Sequence, residues 1–235
     1  MLDVGNTSMK WGFYQDGILN SKGRDGSLWH QKNRPKYVYF ASVRSDDQNQ
    51  RLLSEIQAYF DGAILFPLSV EQRACQVVNA YTEPKRLGID RWLGVLAAYH
   101  HFQSDLVLVD AGTALKVDVV AANGQHEGGY IVPGMALMES SLIDNTGRIR
   151  FSEKDMCHKE GLPDNTGLAV RLGCEEMTLG YLERIYRRYS KHRWCFTGGA
   201  GAQIMKALNI QQSVFDEDLV LKGVKLLGDA KVSSV

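Results

Sequence analysis

Two turns of matching composition constrain this chain more than any other feature of its sequence. MLDVGNTSMK opens it, and LVLVDAGTALK follows from Leu106. Each sets Asp-x-Gly, then a small hydroxyl or amide residue, at the end of an apolar run. With a one-residue gap they align: Asp3 with Asp110, Gly5 with Gly112, Thr7 with Thr113, Met9 with Leu115 and Lys10 with Lys116. A single copy is ordinary β-turn chemistry. A second copy, at the matching point of a repeated meander that again leads into helical material, implies a duplicated α/β lobe.

The rest of the chain reads consistently with that. Met1–Val4, Met9–Tyr14 and Ile18–Lys22 are expected strands, the last two joined by the hairpin signal Asp16-Gly17. YVYFASV (37–43) and AILFPLS (63–69) are interior strands, and Leu52, Leu53, Ile56, Tyr59 and Phe60 fall at helical spacing between them, as a parallel crossover requires. Ile89, Trp92, Leu93, Leu96 and Ala97 mark a helix running to about His101. Then LVLVDAG, ALKVDVVAANG and HEGGYIVPG form a second meander. Residues 144–167 are polar and turn-rich, the kind of long excursion that usually carries function or binds a partner. Leu172, Met177, Leu179, Leu182 and Ile185 resume a helix, RWCFTGGAGAQIMKAL reads strand, glycine turn, helix, and Leu219–Leu227 a last amphipathic stretch. We expect two related lobes, 1–104 and 105–235, with a cleft between them.

An aspartate ending a buried strand before a glycine turn can hold a cation, while the turn lets backbone N–H groups approach an anion. Thr7, Thr113 and Asn6 add neutral donors and Lys10 a point charge. Two such hairpins facing each other suit phosphotransfer from a nucleotide. No G-x-x-x-x-G-K-[ST] loop is present, which excludes a P-loop kinase. In FTGGAGAQI, Gly198 and Gly199 precede a helix; they either let a base or ribose pack on backbone or only permit tight packing. The 27 basic and 27 acidic side chains balance, so any anion must be met by local charge rather than by a polymer-binding surface. No apolar run approaches the roughly 20 residues of a membrane span, and no basic, apolar leader precedes the first strand, which predicts a cytoplasmic protein. Cys75, Cys157, Cys174 and Cys195 form no C-x-x-C pair and are expected to be reduced thiols.

YTEPKRLGIDRWLG places Asp90 and Arg91 at a helix start, with Gly88 before them and Tyr81 upstream. Asp90 is either the helix N-cap or a general base within reach of a hydroxyl, and Arg91 could grip a carboxylate bidentately.

DVGNTSMKWG, LGIDRWL, LVDAGTAL with VDVV, GGYIVPGM, NTGLAVRLGC and TGG occur in the order and approximate spacing of type III pantothenate kinases, which the chain resembles over essentially its whole length. The resemblance implies a duplicated ribonuclease H-like, actin-like ATPase fold shared with acetate and sugar kinases, heat-shock ATPases and actin. It also implies ATP-dependent phosphorylation of pantothenate to 4′-phosphopantothenate, the first step of coenzyme A synthesis. By match, Asp3, Gly5, Asn6, Thr7 and Lys10 resemble the first phosphate motif, with Asp3 toward Mg2+. Gly112 and Thr113 resemble the second phosphate motif, and Gly198 and Gly199 the adenosine turn. Asp90 matches the base that deprotonates the pantothenate hydroxyl. Tyr81, Gly88 and Arg91 match pantothenate-binding positions, and Thr166 the threonine lent by a partner subunit. The family further implies a homodimer with a shared active site, Mg2+ with ATP, and a monovalent cation, K+ or NH4+, at Asp110. Neither nucleic acid nor membrane is an expected partner.

The chain departs from the family pattern at Lys116, where a small hydroxyl residue is usual. That lysine either replaces part of the cation's charge or points to the other face of its strand. Ala200 and Gly201 also follow Gly199 where relatives are often acidic. His100 and His101, adjacent on a helix, diverge by about 100° and do not chelate one ion. Cys157-His158 reads as loop, and RIYRRYSKHR as a solvated helix face. A regulatory protein that binds ligand without turnover is the alternative, but it has no need of a base at Asp90. A sugar or acetate kinase is disfavoured by the stretch from Tyr81 to Arg91.

Overall fold

The structure, a computed structural model, describes residues 1–151 and 161–233. Its first sheet is built from β1 (Leu2–Val4), β2 (Met9–Gln15), β3 (Ile18–Arg24), β4 (Tyr37–Ser42) and β5 (Ile64–Pro67), in the order β3-β2-β1-β4-β5. Asp16 and Gly17 both take positive φ, 52° and 80°, which is what a two-residue hairpin between right-twisted strands demands. β1 runs antiparallel to β2 and parallel to β4, and α1 (Asp46–Tyr59) makes the expected crossover to the parallel β5. Leu2, Val4, Trp11, Val38, Phe40, Ile56 and Phe60 form the core of this sheet and its helix. Each such side chain contributes about 1.5–3 kcal/mol by leaving water.

A short antiparallel pair, β6 (Arg73–Ala74) and β7 (Val77–Val78), comes next. Its turn was not anticipated because Cys75 and Gln76, neither of them turn-forming types, hold positive φ of 47° and 69°. α2 (Ile89–Phe102) follows, starting where its apolar periodicity starts and ending on Gln103 in the left-handed conformation.

The second sheet repeats the first. β8 (Leu106–Ala111), β9 (Ala114–Val120) and β10 (His126–Pro133) form the second meander. After α3 (Met135–Asn145) and α4 (Thr166–Arg188) come β11 (Arg193–Thr197), α5 (Gly201–Leu208) and β12 (Ser213–Phe215). The order is β10-β9-β8-β11-β12, position for position that of the first sheet. In each, the central strand carries the aspartate as its penultimate residue, and a helix joins the fourth strand to a parallel fifth. The duplication expected from the paired turns is therefore a duplication of topology, a mixed α/β arrangement of two ribonuclease H-like sheets. α3 was not legible beforehand, and it has no buried residue.

The final helix, α6 (Leu219–Val232), packs on α2. A Cβ on Gly223 would lie 2.1 Å from the Leu93 carbonyl oxygen, so only glycine lets the two backbones come this close. Two compact units result. One is Met1–Leu106 with Asp118–Gly128 and Asp218–Val235; the other is Val107–Val117 with Gly129–Glu217. The division at residue 104 had assigned α6 to the second lobe, whereas its packing partner α2 belongs to the first unit.

Candidate active site

In the first unit, the β1–β2 hairpin sets Asp3 directly opposite Lys10. The Gly5 N–H donates to the Ser8 carbonyl at 2.9 Å and closes the turn, leaving Asn6 and Thr7 exposed at its tip. Arg44, which the sequence reading passed over, donates from Nε to the Gly5 carbonyl at 2.9 Å and fixes the loop from the β4 side. The turn thus presents neutral donors at its tip and a lysine beside a carboxylate at its base.

The same unit assembles the Tyr81–Arg91 stretch. Gly88, not Asp90, is the N-cap of α2, so the capping alternative for Asp90 is set aside. Asp90 is the second residue of the helix, half-buried, and its Oδ1 accepts the Arg91 backbone N–H at 2.9 Å. Gly88 passes so near that a Cβ there would stand 2.7 Å from Asp90 Oδ1. Arg91 is only 4% exposed. Its Nε and Nη2 donate to the two oxygens of Asp118 at 3.0 and 2.6 Å, and Nη1 donates to the Tyr81 hydroxyl at 3.0 Å. Burial works against this charge, but the hydrogen bonds and attraction from Asp118, then those from Tyr81, outweigh it, so the guanidinium is held above its ordinary pKa. The Nε–Nη2 edge, one of the two that could grip a carboxylate bidentately, is therefore committed to Asp118.

Asp118 also meets His126, whose Nε2 lies 2.9 Å from Oδ1 in a fully buried position. The Ala80 N–H reaches His126 Nδ1 at 3.5 Å, which assigns the Nε2 proton to the Asp118 bond. Asn79, also buried, accepts the Tyr81 N–H at 2.9 Å. The sequence reading gave no role to Asn79, Asp118 or His126, although together they position Tyr81 and Arg91. A lone carboxylate inside the β-branched run VDVV was the available signal, since a buried charge must be paired. Beside them, a recess of about 480 Å³ is lined by Ala80, Tyr81, Thr82, Glu83 and Arg86.

In the second unit, Asp110 is the penultimate residue of β8 and Lys116 lies on β9 with its Nζ 2.7 Å from Asp110 Oδ2, each side chain 17% exposed. Lys116 therefore faces the carboxylate, which resolves the two orientations left open above. Gly112 and Thr113 are exposed at the tip of the turn. Gly134 donates its N–H to the Thr113 carbonyl at 3.0 Å. Gly198, at φ +85°, lies so close that a Cβ would fall 2.6 Å from the Ala111 carbonyl and 2.7 Å from Asp110 Oδ1. Gly199 has open space at the same test. We expect Gly198→Ala to destabilise the protein by about 2 kcal/mol or more through strain and backbone collision, and Gly199→Ala to be near neutral, as read by urea unfolding.

Thr166 is exposed at the first turn of α4, where the Asn165 side chain caps the helix by accepting the Leu168 N–H at 2.9 Å. Cys157-His158 lies outside the described residues. Cys174 and Cys195 are buried and Cys75 is partly buried. His100 and His101 are exposed at the end of α2. Among the described residues, no cluster of three His, Cys, Asp or Glu side chains could hold a metal, and no helix is long and apolar enough to cross a membrane.

Comparison with known proteins bears on the family and the fold. A family profile described as type III pantothenate kinase matches residues 1–188. A type III pantothenate kinase of Marinomonas sp. (strain MWYL1) is 45% identical over 233 residues, covering 99% of this chain and 95% of its own. Another from Pseudoalteromonas translucida (strain TAC 125) is 31% identical over 227 residues, covering 95% and 93%. Among solved structures, a protein of Campylobacter jejuni described as a candidate Baf family transcriptional activator superposes with a TM-score of 0.64 at 20% identity, covering 99% of this chain and 98% of its own. A candidate N-acetylmannosamine kinase of Listeria monocytogenes superposes at 0.54 and 10% identity, covering 98% of each. At those identities the two structures attest the fold alone.

Proposed function

The chain belongs to the type III pantothenate kinase family, and from that membership we propose how its residues divide the work of phosphorylating pantothenate with ATP. The activity itself is phosphoryl transfer from ATP to pantothenate on the route to coenzyme A; the regulatory alternative is not favoured. Asp90 is the general base. It takes the proton of the pantothenate hydroxyl as that oxygen bonds to the γ-phosphorus and the bond to the ADP oxygen breaks. The observation that carries this assignment is the half-buried Asp90 carboxylate on the first turn of α2, next to an arginine already fixed to Tyr81.

Tyr81, Gly88 and Arg91 bind pantothenate. A guanidinium has five N–H donors, and Asp118 and Tyr81 engage three of those on Arg91. Arg91 therefore meets a substrate carboxylate through its remaining Nη protons, while Asp118 and His126 keep it from turning. Asp3, Gly5, Asn6, Thr7 and Lys10, with Gly112 and Thr113, receive the phosphates, and Gly198 and Gly199 the adenosine. A single carboxylate such as Asp3 suits Mg2+, which usually combines one or two carboxylates with substrate phosphates, and the ion would offset charge on the transferring group.

The enzyme works as a homodimer in the cytoplasm, with Thr166 completing the partner's site. Ile131 on β10 is 60% exposed and Met177 on α4 66%, with Tyr130, Leu137 and Leu142 also exposed in the same unit, apolar side chains that a partner subunit could cover. Light scattering should return twice the 26.3 kDa chain mass. A single chain in solution would sink the shared-site assignment.

The deciding experiment is a coupled assay of ADP release with purified protein and Mg-ATP. ADP release that appears only with pantothenate supports the reading. Pantothenate binding by calorimetry without turnover would favour the regulatory one.

A further inference from the structure

We propose that the Lys116 ammonium is a built-in replacement for the monovalent cation at Asp110, so that nucleotide binding and turnover do not depend on K+ or NH4+. The proposal rests on the kinase reading and deepens it. A strand-end carboxylate beside a phosphate-binding turn needs a compensating positive charge, because an uncompensated one repels the triphosphate. Here that charge is covalently supplied, with Lys116 Nζ 2.7 Å from Asp110 Oδ2.

The residues present do not fit a separate cation. Oδ2 accepts from the ammonium, and Gly198 leaves little room on the Oδ1 side, where an added Cβ would stand only 2.7 Å away. A free cation in contact with the same carboxylate would stand a few ångströms from Nζ. Like charges at about 4 Å near a protein surface weaken such a site by roughly a thousandfold. Potassium also prefers several oxygen ligands, and this carboxylate already shares an oxygen with the ammonium.

In the first unit Lys10 stands opposite Asp3 across the β1–β2 ladder at the aligned position. Tethering changes the response to salt. A bound ion is present only in proportion to its concentration, whereas a lysine on a strand is always at hand.

The test compares wild type, Lys116→Ser and Lys116→Arg in choline chloride and in KCl at equal ionic strength. Calorimetry with the magnesium complex of AMPPNP reads binding, and ADP release reads turnover. Wild type and Lys116→Arg are expected to differ less than twofold between the salts on both readouts. Lys116→Ser is expected to bind the nucleotide tenfold or more weakly in choline and to recover in KCl. A tenfold or greater K+ stimulation of wild type overturns the proposal, as does a Lys116→Ser protein that binds as well as wild type in choline. Should Lys116→Ser fail to fold, the wild-type salt comparison still decides. If no pantothenate-dependent turnover occurs in any salt, the kinase reading fails, while the calorimetry continues to judge Lys116 alone.

Discussion

Asp90→Asn is expected to yield a folded protein that still binds pantothenate but whose kcat is lower by about 10²- to 10⁴-fold, the usual cost of removing a positioned general base. The substitution separates two jobs of one side chain. The structural job is to accept the Arg91 N–H at Oδ1, and an amide oxygen does that equally well. The chemical job is to take up a proton, and an amide nitrogen cannot. Because Gly88 rather than Asp90 caps the helix, unfolding should not shift appreciably. Circular dichroism, pantothenate calorimetry and single-turnover kinetics together check all three statements. Unchanged turnover would assign the base to another residue.

The second large effect belongs to stability. Asp118→Ala is expected to cost about 3–5 kcal/mol, because it leaves a buried guanidinium without its counter-charge. Asp118 is 1% exposed and Arg91 4%, so solvent offers little relief. His126 loses its acceptor in the same step. Replacing both partners, Arg91→Met with Asp118→Leu, should return most of that stability, as well-packed apolar pairs often do. The double variant should nevertheless bind pantothenate poorly, since nothing then holds the Tyr81 hydroxyl or meets the substrate carboxylate. Urea unfolding of Arg91→Met, Asp118→Leu and the double closes the cycle. A double variant that keeps normal affinity would confine the pair to architecture.

Features encoded within a few residues of sequence could be read directly. The Asp16-Gly17 hairpin, the strand containing YVYFAS and the helix from Ile89 announce themselves through turn type, β-branching or periodicity, and they stand where expected. Lys116 on its strand left two faces open, and only its contact with Asp110 chose between them. The β6–β7 hairpin was hidden because its turn forces positive φ on Cys75 and Gln76, which no propensity rule favours. α3 was hidden for another reason, since no residue of it is buried and no stripe separates an inside from an outside. In the site, Asp90, Arg91 and Tyr81 were legible as a cluster, but the supports of Arg91 were not. Asp118 and His126 come from β9 and β10, and sequence spacing says nothing about which distant strand meets a helix start.

The return of α6 to α2 sets an order of events at the ribosome. Synthesis delivers the last residue of the second unit, Glu217, before the first residue of the segment that completes the first, Asp218. At typical elongation rates the earlier unit waits on the order of ten seconds for its final helix. During that wait the surface of α2 around Leu93, which the close approach of Gly223 later covers, stays open to water. A nascent chain of this architecture therefore presents an apolar surface to chaperones for most of its translation, and the half made first is the half finished last.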